Sequence, residues 1–324
     1  MPTAQKEASP TESPSIVLAL SGGGAAGLAH IGVLQVLAEN GIRVRAVAGT
    51  SIGAEIGAFF ASGMALDELA AVATDFDWKQ TLALFMPDLP TGGLISGVHI
   101  MEFLRGRLGT RAIEELAVGY AAVAADLQSG EQVVIDRGDL VEAVRASISL
   151  PGLIAPLRVD DRVLVDGGVV NPLPFDVARE RFGGPVVAVG VHGVARAAGR
   201  VTDVSRPNQW LARARQLLDQ PWMARTPDLR DWLSNQLRTL ESRTRENNDW
   251  TTRRVLDRVL GIAQAQIVRL REARNPPDLL LLPKVDDIGL LEFYRGDEAI
   301  AAGRAAAHDK LDEIKRLARR GDAA

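Results

Sequence analysis

Polar and apolar positions divide the chain before any motif is considered. The first fifteen residues, MPTAQKEASPTESPS, are polar and rich in proline and serine. They lack the basic start and apolar centre of a secretory signal, so a mobile tail over 1–15 is expected. A short unbroken apolar run follows, SIVLAL at Ser15–Leu20, ending in serine and three glycines. Such a run suits a strand buried on both faces. Residues 25–39 carry a helical pattern that stops at Asn40-Gly41. VRAVAG at 44–49 reads as a second strand, and AEIGAFFASG at 54–63 as the helix after it. Two strand–turn–helix units in succession predict parallel strands with helices on the sheet faces.

Farther along, residues 64–117 are mostly helical in pattern, broken by FMPDLPTGGLISG at 85–97. Its prolines and glycines forbid a regular helix, and it reads either as a lid or pocket rim or as an irregular packed connection. YAAVAADL and EQVVID predict strands about a turn at Gln128-Ser129-Gly130, and DLVEAVRASI a helix. LRVDDRVLVDGG predicts a hairpin turning at Asp160-Asp161; PFDVARERFG is a helix and PVVAVGV a buried strand. Between about 202 and 275 the pattern changes to long amphipathic stretches rich in arginine, with Trp210, Trp222, Trp232 and Trp250. DLLLLP then returns as a strand, and 296–319 reads as a closing helix. The expected organisation is one α/β domain over 16–320 with a helical insertion at about 202–275.

Composition narrows the classes. The 324 residues are 47% hydrophobic and 24% charged, an ordinary globular balance with enough chain for a sizeable core. A net charge of −4 argues against a dedicated nucleic-acid binder. There is no cysteine, which removes disulfides, thiolate catalysis and cysteine-bound zinc and agrees with a cytoplasmic location. No apolar run approaches the length of a membrane span.

The first turn poses a choice. Gly22, Gly24 and Gly27 fit G-x-G-x-x-G, a dinucleotide fingerprint. That reading needs an acidic residue at the end of the second strand, and none stands in VRAVAGTS. No Lys-Ser/Thr follows the glycines either, so a phosphate-binding P-loop fails. What stands there is Gly49-Thr50-Ser51-Ile52-Gly53, the G-x-S-x-G of a nucleophile elbow between strand and helix. The flanking glycines relieve crowding in a tight turn that lifts the Ser51 hydroxyl off the sheet edge. With adjacent strands side by side, the glycine loop opens at the same edge, where bare N–H groups of Gly22, Gly23 and Gly24 suit a tetrahedral oxyanion. Gly27 is expected to serve packing alone.

A serine nucleophile needs a base. His30, His99 and His308 sit in no catalytic context, whereas His192 ends PVVAVGV and completes a Ser51–Asp166–His192 order. The other reading is direct: Asp166 ends a strand before Gly167 and Gly168, which let the backbone approach closely. A free aspartate near pKa 4 is a poor base, so desolvation would have to raise it. Asp126, Ser129, Asp286 and Asp287 read as turn or cap residues, and Ser147 and Ser149 as structural residues at a helix end.

In order, GGGAAGLAHIGVL, GTSIGA, AADLQSGEQVVI, ASISLPGLIAPL and LVDGGVVNPLPFDVAR resemble the patatin-like phospholipase family, in particular its bacterial members, from about Val17 to Ala318. The resemblance implies a three-layer α/β/α sandwich with a mostly parallel central sheet. It further implies a Ser51–Asp166 dyad, an oxyanion hole at Gly22–Gly24, acyl-ester hydrolysis of a fatty-acyl ester or phospholipid, and no cofactor or metal. One departure is plain: where the family's glycine loop typically carries a basic residue, this chain has Ala26. That residue and the insertion motivate the alternative of a weak or inactive scaffold. The arginine–tryptophan helices have three readings: packing on the main domain, a peripheral contact with an anionic membrane, or association with a partner or a second copy.

Overall fold

The computed structural model describes residues 14–74, 95–191 and 252–321. The breaker-rich loop up to Leu94, His192 and the four insertion tryptophans lie outside the described residues. The chain divides into two compact units, residues 1–198 with 262–324, and residues 199–261. The fold and site below belong to the first.

Its elements follow the apolar runs. Strand β1 is Ser15–Leu20, and a 3-10 turn at Gly24–Leu28 leads into helix α1, Ala29–Glu39. Strand β2, Arg43–Thr50, meets helix α2, Ile52–Ala61, across a single residue, Ser51. Helices α3, Leu66–Thr74, and α4, Val98–Leu108, precede strands β3, Gly119–Asp126, and β4, Gln132–Ile135. Helix α5 is Leu140–Ser147, and the hairpin of β5, Leu157–Val159, and β6, Arg162–Asp166, follows. Helix α6, Phe175–Phe182, strand β7, Val186–Val189, helix α7, Thr252–Arg274, and strand β8, Leu279–Leu281, complete the sheet region. Helix α8 is Gly296–Asp309 and helix α9 Leu311–Gly321.

Eight strands form one mixed sheet in the order β5-β6-β3-β2-β1-β7-β8, with β4 also on β3. β1, β2, β3, β7 and β8 run parallel, and β4 and β6 lie antiparallel to β3. Alternation along β1 sorts its side chains between two cores. Ile16, Leu18 and Leu20 face a core shared with α1, α2 and α8, and Val17 and Ala19 face one shared with α6 and Val268 of α7. Helices therefore cover both faces, as the three-layer expectation required.

Two boundaries differ from the sequence pattern. The expected closing helix over 296–319 is two helices, because Lys310 leaves helical geometry at φ −109° and ψ 12°. The break redirects the chain, so that Ile314 and Ala318 of α9 reach the core. The second unit ends at Gly261. The rest of α7 buries Ala265 and Val268 in the main unit, so this part of the expected insertion is core-forming.

Candidate active site

Strand β3 brings Ser51 and Asp166 together. On one side it pairs with β4 through Ala122–Ala125. On the other it pairs first with β2, to Thr50 opposite Val123, and then with β6, from Asp166 opposite Ala124. β2 and β6 thus approach one another end to end along β3, and their carboxyl ends occupy neighbouring rungs. Each chain must turn sharply away where they meet, and the residues at the turns are Ser51 and Asp166–Gly167.

Ser51 makes the turn at φ 55° and ψ −126°, with positive φ in a non-glycine residue. Such a conformation costs about 1–3 kcal/mol and persists only where surrounding structure imposes it. Here the Ser51 carbonyl accepts from the N–H groups of Ala54 and Glu55 at 2.9 and 3.1 Å, starting α2. The Ser51 N–H donates to Ser147 Oγ at 2.9 Å. A Cβ on Gly49 would strike the backbone of Gly53 and Ala54, and one on Gly53 would strike the carbonyls of Leu20 and Ser21. Both elbow glycines therefore allow backbones to meet, and α2 starts against the end of β1. Gly27 packs on Ile52, the structural role expected for it.

The Ser51 hydroxyl neighbours the Asp166 carboxylate. Asp166 is buried, and desolvation pushes its carboxyl up to about 6, with the Ser51 hydroxyl and the Gly168 N–H drawing it partly back down. The Gly168 N–H reaches Oδ1 at 2.7 Å. Gly167 lets the turn lie on the Val123 carbonyl, which a Cβ there would strike. Desolvation raises a carboxylate's proton affinity, and Asp166 is desolvated here.

The glycine loop stands beside Ser51: a Cβ on Gly22 would lie 3.3 Å from Ser51 Cβ. The structure narrows the expected donor set. Gly22 is not available, because its N–H donates to the Pro172 carbonyl at 3.0 Å. Ser21 and Ala25 donate to Val189 and Leu290 carbonyls at 3.1 and 2.9 Å. Gly23, at φ 146°, and Gly24, at φ 57°, have N–H groups with no acceptor among the described residues. Ala26 is fully buried in the 3-10 turn, so packing occupies the position of the family's basic residue.

Three supports had no obvious signal in the sequence. Asn171 and Pro172 join the two loops, since Thr50 Oγ1 donates to the Asn171 carbonyl at 2.8 Å while Pro172 takes the Gly22 N–H. The Leu290 segment covers the glycine loop from the far end of the chain. His30 is buried, with Nε2 donating to the Ser21 carbonyl at 2.9 Å. Burial lowers His30 to about pKa 4, so the ring is neutral and holds the loop's first carbonyl. His99 pairs with Glu102 and His308 is exposed. Asp126 and Ser129 bond the turn amides of Gln128 and Glu131, as expected of turn residues.

Comparison with known proteins follows the same lines. The model of the patatin-like phospholipase family matches residues 18–179. An uncharacterized NTE family protein of Mycobacterium tuberculosis is 35% identical over 339 residues, spanning 94% of this chain and 93% of that protein. A second NTE family protein of that organism is 34% identical over 306 residues, spanning 94% of this chain and 48% of the relative. Mouse patatin-like phospholipase domain-containing protein 7 is 36% identical over 184 residues, 55% of this chain and 14% of that protein.

Proposed function

The chain belongs to the patatin-like phospholipase family, and from that premise we propose that it is a serine acyl hydrolase acting on fatty-acyl esters of the phospholipid or lysophospholipid kind. Family membership supports lipid hydrolysis as the activity class; the assignment of roles to residues is ours. The observation that carries it is that β2 and β6 end on neighbouring rungs of β3, which sets Ser51 beside the buried Asp166 carboxylate.

In the proposed cycle Ser51 Oγ attacks the ester carbonyl as its proton passes to Asp166. The tetrahedral oxyanion accepts from the Gly23 and Gly24 N–H groups, at the N-terminus of α2, where the helix dipole also favours negative charge. Collapse expels the alcohol, which takes the proton from Asp166. Water then gives a proton to Asp166, attacks the acyl-enzyme, and the acid leaves as Ser51 recovers its proton. No helix among the described residues is long and apolar enough to cross a membrane.

A fluorophosphonate probe tests the nucleophile. Stoichiometric labelling, located by mass spectrometry to the peptide containing Ser51, is the expected result. Folded protein that takes no label, or takes it elsewhere, would sink the reading and favour a scaffold.

The base makes a pH prediction. Asp166 must be ionised to accept the proton, and its value is raised to about 6. On a p-nitrophenyl ester, kcat/KM should fall about tenfold per unit below pH 6 and level off above it. An ordinary surface aspartate would put that limb near pH 4. Glu55, one turn along α2, is pushed to about 7 by burial, so Glu55→Gln is the control. A limb near 6 that survives Glu55→Gln belongs to Asp166; a limb that vanishes with it does not.

A further inference from the structure

We propose that Ser147 is a positioning residue for the nucleophile, its hydroxyl fixing the Ser51 backbone so that the Ser51 side chain stays on Asp166. This rests on the hydrolase reading above. Ser147 is fully buried at the end of α5. A serine near a helix end commonly bonds the carbonyl one turn back. Ser147 does not: its hydroxyl donates to Val123 O at 2.6 Å and accepts the Ser51 N–H at 2.9 Å. Val123 is the β3 residue paired with Thr50, so the hydroxyl bridges β3 and the elbow at the point where the β2 ladder ends.

The same segment holds the base. Two residues on, the Ser149 carbonyl accepts the Asp166 N–H at 2.9 Å. Ser149 Oγ accepts from buried Arg145 at 2.5 Å and donates to the Arg145 carbonyl at 2.8 Å. Arg145 also donates to the carbonyls of Ser96 and Ala155 at 3.1 and 2.8 Å. Residues 145–149 therefore brace Ser51 and Asp166 from behind, and only Ser147 does so through a side chain that touches the nucleophile's own backbone. Removing that hydroxyl leaves the Ser51 N–H and Val123 O without this partner. It also removes one of the bonds imposing φ 55° on Ser51. The elbow relaxes and Oγ leaves the carboxylate.

Ser147→Ala is expected to lower kcat on a p-nitrophenyl ester about 10- to 100-fold while KM stays near the parent's, since a displacement of about 1 Å at a reacting atom costs that much. Ser147→Cys, similar in size with a weak hydrogen-bonding group, should behave like Ala and serves if the Ala variant does not fold. Ser147→Thr, which keeps the hydroxyl, should restore kcat. Hydrogen exchange of the peptide containing Ser51 should quicken in the Ala and Cys variants and not in Thr. Retained kcat in Ala and Cys overturns the proposal, as does an equal loss in all three variants, which would mark a packing role. A parent inert to ester and fluorophosphonate alike would sink the hydrolase reading, while the exchange measurement would still report whether the hydroxyl fixes Ser51.

Discussion

Asp166→Asn is expected to lower kcat on a p-nitrophenyl acyl ester about 10³- to 10⁴-fold, the range in which loss of a base behind a serine nucleophile falls. The change is nearly isosteric. The amide oxygen still accepts the Gly168 N–H, and the amide nitrogen faces the Ser51 hydroxyl, which can accept from it but can no longer give up its proton. Ser51→Ala should cost at least as much, and the double variant should be no worse than Ser51→Ala alone, because the pair acts as one unit. Stability separates this from simple damage. The folded-state value of Asp166, about 6, lies above that of an unfolded aspartate, about 4. The protonated carboxyl is thus favoured in the folded protein, a contribution full below about pH 4 and lost as pH rises through 6. At pH 7 the parent holds a buried charge that Asn does not, so the Tm of Asp166→Asn should equal or exceed the parent's. The difference should shrink at pH 4.5. Lost activity with a raised Tm is the signature of a base. Retained activity sinks the dyad, and retained activity combined with loss on His192→Ala would move the role to that histidine.

Much of this site is legible in the sequence, and the limit has a physical origin. G-T-S-I-G and V-D-G-G are local patterns: glycines flank one residue because the backbone must turn tightly there. Each predicts its own turn without reference to the rest of the fold. The meeting of Ser51 with Asp166 is not local. It depends on β6 running antiparallel along the last rungs of β3, on the side where β2 has ended, and LRVDDRVLVD shows only that a hairpin forms. The donor count of the glycine loop is likewise not a local property. Three bare glycines suggest three N–H groups, but Pro172, some 150 residues away in sequence, takes the first. Ser147 reads in sequence only as a structural residue at a helix end, because its partners, Ser51 and Val123, come from two other elements. A buried hydroxyl at a helix end looks the same in sequence whether it bonds its own helix or another strand.

Gly24→Ala should lower kcat about 100-fold, the cost of displacing an oxyanion donor. Gly24 sits at φ 57°, which costs an alanine about 1–2 kcal/mol. Backbone strain alone would leave the site intact. The larger effect comes from the space: a Cβ there would strike the carbonyl of Leu290 and come within 2.7 Å of its Cδ1. That carbonyl is the acceptor of the Ala25 N–H. It cannot retreat cheaply, because Arg295 donates to the Asp287 carbonyl at 2.7 Å and pairs with Glu292, whose carboxylate accepts the Gly289 N–H at 3.0 Å. With that wall fixed, the glycine loop is the part that moves, and the Gly23 and Gly24 N–H groups turn from the oxyanion. Gly63→Ala is the matched control, since Gly63 has φ 86° and no atom within 4 Å of an added Cβ. Both variants should lose Tm through strain, and only Gly24→Ala should lose kcat, with KM little changed because the donors act on charge that appears in the transition state. Parallel losses of kcat in the two variants would mean that strain, not the loop's N–H groups, governs activity. A Gly24→Ala enzyme with parent kcat would remove the loop from the mechanism and leave the oxyanion to the start of α2.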